Sequence, residues 1–212
     1  MILENYILFV TIAILYIASP GPAVFLAINY GALYGFKRVF ITLLGNSTGL
    51  AILAFLSAIG IGAIIVNSIF LTNIIKILGA IFLVYIGIKM ILSYYKNKDK
   101  SKNSQNIDDV ISNQNNLSSY KEGLFLALSN PKPIIFFTSI YPQFIVNSGD
   151  GIIKQFFIMG FTFTFLSLLC LSLYAILSLS VFKKFLSVKR VILLNLFSGV
   201  TFIILAFFLI IN

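Results

Sequence analysis

The chain has 212 residues, of which 59% are hydrophobic and 10% charged, and its mean hydropathy is +1.04. No soluble domain of this size hides so much apolar surface, so the membrane is its solvent. The net charge of +9 would suit nucleic acid, but its distribution along the chain reads as a topology signal, and no nucleic-acid partner is expected.

Six apolar runs follow one another, at about 5–30, 39–65, 69–94, 121–146, 152–181 and 190–211. Six spans of about 20 residues take up about 120 residues, so little is left for a soluble domain. The runs are near-continuous, unlike the alternating segments of a membrane barrel, and predict an all-α bundle. The first run has only Glu4 before it and no basic flank, which argues against a cleaved signal peptide. Near its end stands Ser19-Pro20-Gly21-Pro22, where prolines remove backbone donors and break the helix. Thr42, Gly45, Asn46 and Gly49 line one face of run two, and Lys76, Gly79 and Gly87 mark run three. Small residues let membrane helices approach closely, and a pore-lining role is the alternative, favoured for Asn46.

Residues 97–119 are rich in Asn, Ser, Lys and Asp, cannot bury a core, and read as a cytoplasmic linker. A single transmembrane domain is expected, with one repeat at 1–95, the linker at 96–120 and a second repeat at 121–212. Glu122 opens run four, where its charge suits a helix start, with proton coupling as an alternative role. The run is broken at Asn130-Pro131-Lys132-Pro133. Asp150 precedes run five, which carries Gly160, Thr164, Ser167, Tyr174 and Ser178 as a polar stripe, and Ser167 and Tyr174 are candidate pore residues. Cys170 is the sole cysteine, so no intrachain disulfide exists; it reads as a packing residue.

Twelve basic residues lie around alternate connections: Lys37, Arg38, Lys89, Lys96, Lys98, Lys100, Lys102, Lys121, Lys183, Lys184, Lys189 and Arg190. The other connections hold only Lys154. The positive-inside rule puts these three loops in the cytoplasm and both termini outside. Tyr6, Tyr94, Tyr95 and Tyr120 take interfacial anchor positions. Lys76, near the start of run three, snorkels.

Three spans per half give the halves opposite orientation. Ser19–Phe25 corresponds to Asn130–Phe136, Gly49 to Gly160, and Gly79-Ala-Ile-Phe82 to Gly199-Val-Thr-Phe202. The halves thus predict two inverted three-helix repeats around a central site, an architecture that permits alternating access. Ser19 and Asn130 are good N-caps, and Pro20 and Pro131 good first helical residues. Each motif then starts a half-helix whose free N–H groups, chiefly those of Gly21, Ala23, Lys132 and Ile134, carry partial positive charge. Lys132 opposes that dipole and is costly inside a span, by about 2.5–3.5 kcal/mol at a helix centre. Both penalties fall if a carboxylate binds there, and snorkelling is the alternative. A substrate carboxylate is therefore expected between the two half-helix starts and Lys132, in a neutral cavity walled by phenylalanines.

These motifs resemble the lysine exporter / homoserine-threonine exporter (LysE/RhtB) family. The likeness rests on Ser19-Pro-Gly-Pro, Leu78–Gly87, the stretch Glu122–Phe144 with Asn130-Pro-Lys and Pro142-Gln143-Phe144, and Asn195–Gly199. It covers essentially the whole chain. It implies a multi-pass exporter of amino acids or related metabolites in the prokaryotic cytoplasmic membrane, energised by the proton gradient, with room for a homodimer. It carries Pro20, Gly21, Pro22, Asn130, Pro131, Lys132, Pro142 and Gln143 over as motif residues. One departure is Ser167, where many members place an aspartate; it leaves the coupling acid unassigned. Asn46, Ser167, Tyr174 and freed carbonyls are left to hold a substrate ammonium. No cofactor is expected.

Other readings were a metal-cation efflux carrier, a membrane enzyme and a non-transporting scaffold. With no histidine, one cysteine and no midspan acid, metal ligands are lacking, and no nucleophile–base pair stands in the spans. Helix breaks matched in both halves argue against a scaffold. A neutral or small apolar amino acid is the expected cargo.

Overall fold

The structure is a computed structural model that describes residues 3–59, 69–100, 115–145, 151–185 and 188–211. Asp150, the middle of the linker and the side chains of Lys76, Lys96, Lys98, Lys100, Lys102, Lys183, Lys184, Lys189 and Arg190 lie outside the described residues. Among the described residues there are eight α-helices and no strand: α1 (Leu3–Ala18), α2 (Pro22–Tyr34), α3 (Phe36–Ala58), α4 (Ile69–Lys100), α5 (Asn116–Ser129), α6 (Pro131–Ile135), α7 (Ile152–Phe185) and α8 (Val188–Ile211). A π turn at Phe136–Ile140 and a 3-10 turn at Tyr141–Phe144 continue α6.

Three stretches, Phe36–Ala58, Ile77–Tyr95 and Ile152–Ser180, are single helices long and apolar enough to cross a membrane. Two more spans arise if each bent pair counts as one: α1 with α2, bent by 59°, and α5 with Pro131–Phe144, bent by 49°. In α8 the apolar stretch Asn195–Phe208 is shorter. The bends fall at the two proline motifs. A third sharp turn, between α2 and α3, uses Gly35 at φ +79°, a conformation glycine adopts without Cβ strain.

Two expectations are corrected. The linker is shorter than 96–120 because helix invades both of its ends. α4 runs to Lys100, and α5 starts at Asn116, with the Asn115 side chain accepting from the Leu117 N–H at 3.3 Å. The second half of the first span starts at Pro22 rather than Pro20, with Gly21 at the N-cap and no side-chain cap. At the crossing of α4 and α8, Gly87 and Gly199 lie against one another. A Cβ built on Gly87 meets the Gly199 carbonyl at 2.8 Å and Ile203 Cγ1 at 2.8 Å. A Cβ on Gly199 meets the Gly87 carbonyl at 2.7 Å and Ile91 Cγ1 at 2.7 Å. Residue for residue, each helix does to the other what the other does to it.

The bundle is held by close backbone approaches of this kind. α4 packs on α8, α3 on α5, α3 on α7, and α7 on both α1 and α2. Gly45 and Gly123 bring α3 and α5 together: a Cβ on Gly45 would strike the Tyr120 carbonyl, and one on Gly123 the Thr42 carbonyl. The stripe Gly45-xxx-Gly49 is thus a packing face. Gly31 of α2 lies against the Ala175 backbone of α7, whose Cα would sit 2.9 Å from an added Cβ. Two cores result. One gathers α2, α4 and α8 around Leu26, Tyr30, Leu83, Ile86 and Phe202. The other is aromatic, with Phe9, Phe136, Phe137, Tyr141, Phe144, Phe156 and Phe163.

Candidate functional site

The first break begins as a donor deficit. In a continuous helix the Tyr16 and Ala18 carbonyls would accept from the N–H groups of residues 20 and 22. Both are proline, so neither donor exists. Side chains replace them. The Ser19 hydroxyl turns back to donate to the Tyr16 carbonyl at 2.7 Å. The Tyr174 hydroxyl of α7 donates to the Ala18 carbonyl at 2.9 Å. The next carbonyl, that of Ser19, accepts from the Lys132 ammonium at 2.6 Å. The N–H groups of Gly21 and Ala23, at the start of α2, take part in none of the hydrogen bonds that tie this break together.

The second break caps itself. The Asn130 side chain accepts from the Lys132 N–H at 3.0 Å, and Pro131 is the first helical residue, as its lack of a donor allows. That N–H is therefore not open to a ligand, contrary to the expectation. Further on, the π turn would direct a donor from residue 142 to the Phe137 carbonyl, but residue 142 is proline. The Ser57 hydroxyl of α3 donates there instead. Gly160 leaves room for Tyr141, whose hydroxyl donates to the Phe156 carbonyl.

The two breaks meet at Lys132. Its side chain lies along Gly21, where a Cβ would stand 3.3 Å from Cδ and 3.6 Å from Nζ. Its ammonium lies 5.1 Å from the centre of the Tyr16 ring, a cation–π contact, and the Tyr16 hydroxyl donates to the Lys132 carbonyl at 2.6 Å. A Cβ at position 21 would press on this side chain, which would have to give by a few tenths of an ångström.

Here lies a cavity of about 40 Å³, lined by Tyr16, Gly21, Asn46, Asn130, Lys132 and Ser167 among its polar and backbone groups. Its apolar lining is Ile17, Ala23, Val24, Leu50, Pro133, Phe163 and Leu171. That wall is mainly aliphatic, with one phenylalanine. The expected phenylalanine wall is corrected, because most of the buried rings pack with one another in the aromatic core beside the cavity. The Asn46 and Ser167 side chains are buried and make no hydrogen bond among the described residues, so their polar atoms are left to the cavity.

Five expected site residues, Gly21, Asn46, Asn130, Lys132 and Ser167, thus share one cavity. Ser19 and Tyr174 act through the backbone of the break. Ser19 is not the N-cap of α2, since its hydroxyl serves the helix before it. Pro22 is buried, Pro131 half-buried and Pro20 exposed, each shaping a break rather than lining the cavity. Gln143 sits exposed on the 3-10 turn, outside it. The sequence reading missed Tyr16, Leu50, Phe163 and Leu171. Helical spacing offered the signal, because each stands four residues from Pro20, Asn46 or Ser167. Among the described residues no group of three or more His, Cys, Asp or Glu side chains comes together, so no donor set for a metal cargo is seen there.

A second polar cluster lies along α2 and α5, away from the cavity lining. The buried Glu122 carboxylate is paired with the Lys89 ammonium of α4 and accepts from the Tyr30 hydroxyl of α2. Ser118 donates to it at 3.4 Å. Arg38 of α3 donates to Ser119 at 3.3 Å and lies 4.6 Å from the centre of the Tyr34 ring. Glu122 is thus more than a favourable charge at a helix start.

Comparison with known proteins agrees with this architecture. A family model described as LysE type translocator matches residues 14–212. A leucine efflux protein of Klebsiella pneumoniae is 29% identical over 186 residues, covering 88% of this chain and 84% of its own. One from Enterobacter sp. (strain 638) is 30% identical over 188 residues, with the same coverage of 88% and 84%. The uncharacterized membrane protein YrhP of Bacillus subtilis is 28% identical over 176 residues, covering 79% and 80%. No solved structure matches the chain. With nearly its whole length inside the family match, the chain belongs to the LysE type translocators, multi-pass transport proteins of the bacterial inner membrane rather than enzymes.

Proposed function

We propose that this protein exports an aliphatic amino acid, leucine or a close analogue, by alternating access of two inverted three-span halves, with both termini outside. The observation that carries the reading is the meeting of Gly21 and Lys132 from the two broken helices in one cavity. Lys132 is held in waiting on a neutral carbonyl. A substrate carboxylate makes the stronger, charge-assisted bond and displaces that carbonyl, while the open amides of Gly21 and Ala23 add the partial positive charge of a helix start. Asn46 and Ser167 offer oxygens to the ammonium. Ile17, Val24, Leu50 and Leu171 match an aliphatic side chain, and two relatives are named for leucine efflux.

At about 40 Å³ the cavity holds a water or two, so an amino acid needs its walls to part. The reciprocal Gly87–Gly199 crossing supports an inverted repeat with its pseudo-two-fold axis through that contact. So does the packing of each broken span against the middle span of the other half. The proton gradient supplies the energy. The test is counterflow of labelled leucine in proteoliposomes, with unlabelled amino acids as competitors. Exchange competed by leucine, isoleucine and valine but not by lysine is expected. Absence of exchange with any amino acid would remove the reading.

A further inference from the structure

Beyond the substrate cavity, the structure raises the question of which group carries the proton. The chain has no histidine and six acidic residues. Glu4 lies in the first turn of α1. Asp99, Asp108 and Asp109 belong in sequence to the polar stretch after run three or its edge, and Asp150 precedes run five; the side chains of these four lie outside the described residues. Among the described side chains, Glu122 is the acid that lies buried within a helix, 7% exposed, whereas Glu4 is exposed.

Its surroundings are built to respond to its charge. Every element packed on this part of α5 presents a polar group. α2 brings the Tyr30 hydroxyl onto the carboxylate and Tyr34 beside it; α4 brings Lys89; α3 brings Arg38, through Ser119 and the Tyr34 ring. On its own helix stand Ser118 and Lys121. An ionised carboxylate binds Tyr30 and Lys89 through charge-assisted bonds, and a protonated one loses that assistance. Lys89 is 28% exposed, so its long stem can carry the ammonium to water when the pair opens. Protonating Glu122 then strands no buried charge, whereas a fully buried partner would lock the pair ionised.

The link to the cavity is mechanical. Tyr30 and Pro22 are ends of one stretch of α2, and Glu122 and Asn130 are ends of one stretch that runs through α5. Each spans eight residues, about 12 Å of helix. One end of each rod is at the ion pair and the other at the helix breaks.

We propose that Glu122 is the proton-exchanging residue of this carrier, a positioning group that moves the first broken helix through Tyr30. The carboxylate binds one proton when the site faces outside and releases it when the site faces the cytoplasm. No other reactant is consumed. Bound proton frees α2 from α5 and α4; loss of the proton re-forms the tie to Tyr30 and Lys89.

This rests on the exporter reading, and the test separates the two. In proteoliposomes, counterflow needs no net proton movement, whereas accumulation driven by an imposed pH gradient does. Glu122→Gln should keep leucine counterflow within about twofold of the unaltered protein and lower gradient-driven accumulation at least tenfold. Glu122→Asp should keep coupling, with a displaced pH profile. If Glu122→Gln accumulates leucine on a pH gradient like the unaltered protein, Glu122 does not carry the proton. If Glu122→Gln is not recovered as a folded protein, Glu122→Asp decides: an unchanged pH profile overturns the proposal. Failure of counterflow in the unaltered protein would instead remove the exporter reading.

Discussion

The two helix breaks solve the same problem in opposite ways. Each has two prolines, and each leaves backbone groups unpaired in a region where lipid offers no partners. The second is self-sufficient at its start, because Asn130 caps the helix that follows it. The first depends on residues remote in sequence, with Tyr174 and Lys132 supplying donors to consecutive carbonyls. A break that caps itself can stay rigid while its neighbours move. A break held by remote donors is sensitive to where those donors are. If the cavity opens as the proposed export requires, the first break is the one whose geometry is expected to change, and Lys132 is the side chain that links the two.

The largest expected effect is at Lys132. Replacement by Met removes the donor to the Ser19 carbonyl and the cation proposed to receive the substrate carboxylate. A hydrogen bond to a charged group contributes about 1.5–3 kcal/mol, so apparent affinity for leucine should fall by about 10- to 150-fold in counterflow. Lys132→Arg should restore part of it. Unchanged affinity in Lys132→Met at normal membrane abundance would break the comparison at its centre.

Tyr174→Phe comes next. It leaves the Ala18 carbonyl without a donor and costs about 1–3 kcal/mol if no water replaces it, read as a melting temperature lower by several degrees in detergent. Asn130→Ala should cost about 0.5–2 kcal/mol, the usual range for losing a cap. Asn130→Asp separates cap from site: the carboxylate caps as well as the amide did, so stability persists, but an anion beside Lys132 repels a substrate carboxylate and transport falls. Loss of stability in Asn130→Asp would show that the cap is not what holds the second break.

Much of this was legible before any coordinates. Proline chemistry located both bends, because a missing N–H at Pro20, Pro22 or Pro131 follows from the residue type alone. Asn130 was readable as a cap for the same reason. Ser19 was not, since the same hydroxyl can serve the helix before it or the helix after it, and only the position of α2 decides. Tyr174 was visible as a polar residue on the span-five stripe, but its acceptor, 156 residues away, is a matter of packing. The Glu122–Lys89 pair was hidden for a related reason. Both residues lie near predicted span ends, where charge is ordinary, and nothing local reveals that α2 closes over them. The aliphatic lining was obscured by composition. The phenylalanines are numerous, but rings of that size pack best against one another and fill the core next to the cavity.

The smallest predicted effect is the most diagnostic of what fills the first break. Ser19→Ala removes the 2.7 Å bond to the Tyr16 carbonyl and nothing else, since the Lys132 contact is to the backbone of Ser19. The outcome depends on what can take the hydroxyl's place. Where water reaches the carbonyl, a bridging molecule is nearly as good as the lost bond, and the change should stay below about 0.5 kcal/mol. Where hydrocarbon covers it, the orphaned acceptor costs about 1–3 kcal/mol. Ser19 and Pro20 are exposed beside a cavity that is lined in part by polar groups, so the smaller value is expected, with a melting temperature within about one degree of the unaltered protein. A loss as large as that of Tyr174→Phe would mean that the break faces lipid. Substrate could then reach Lys132 only from the opposite side of the cavity, past Asn46 and Ser167.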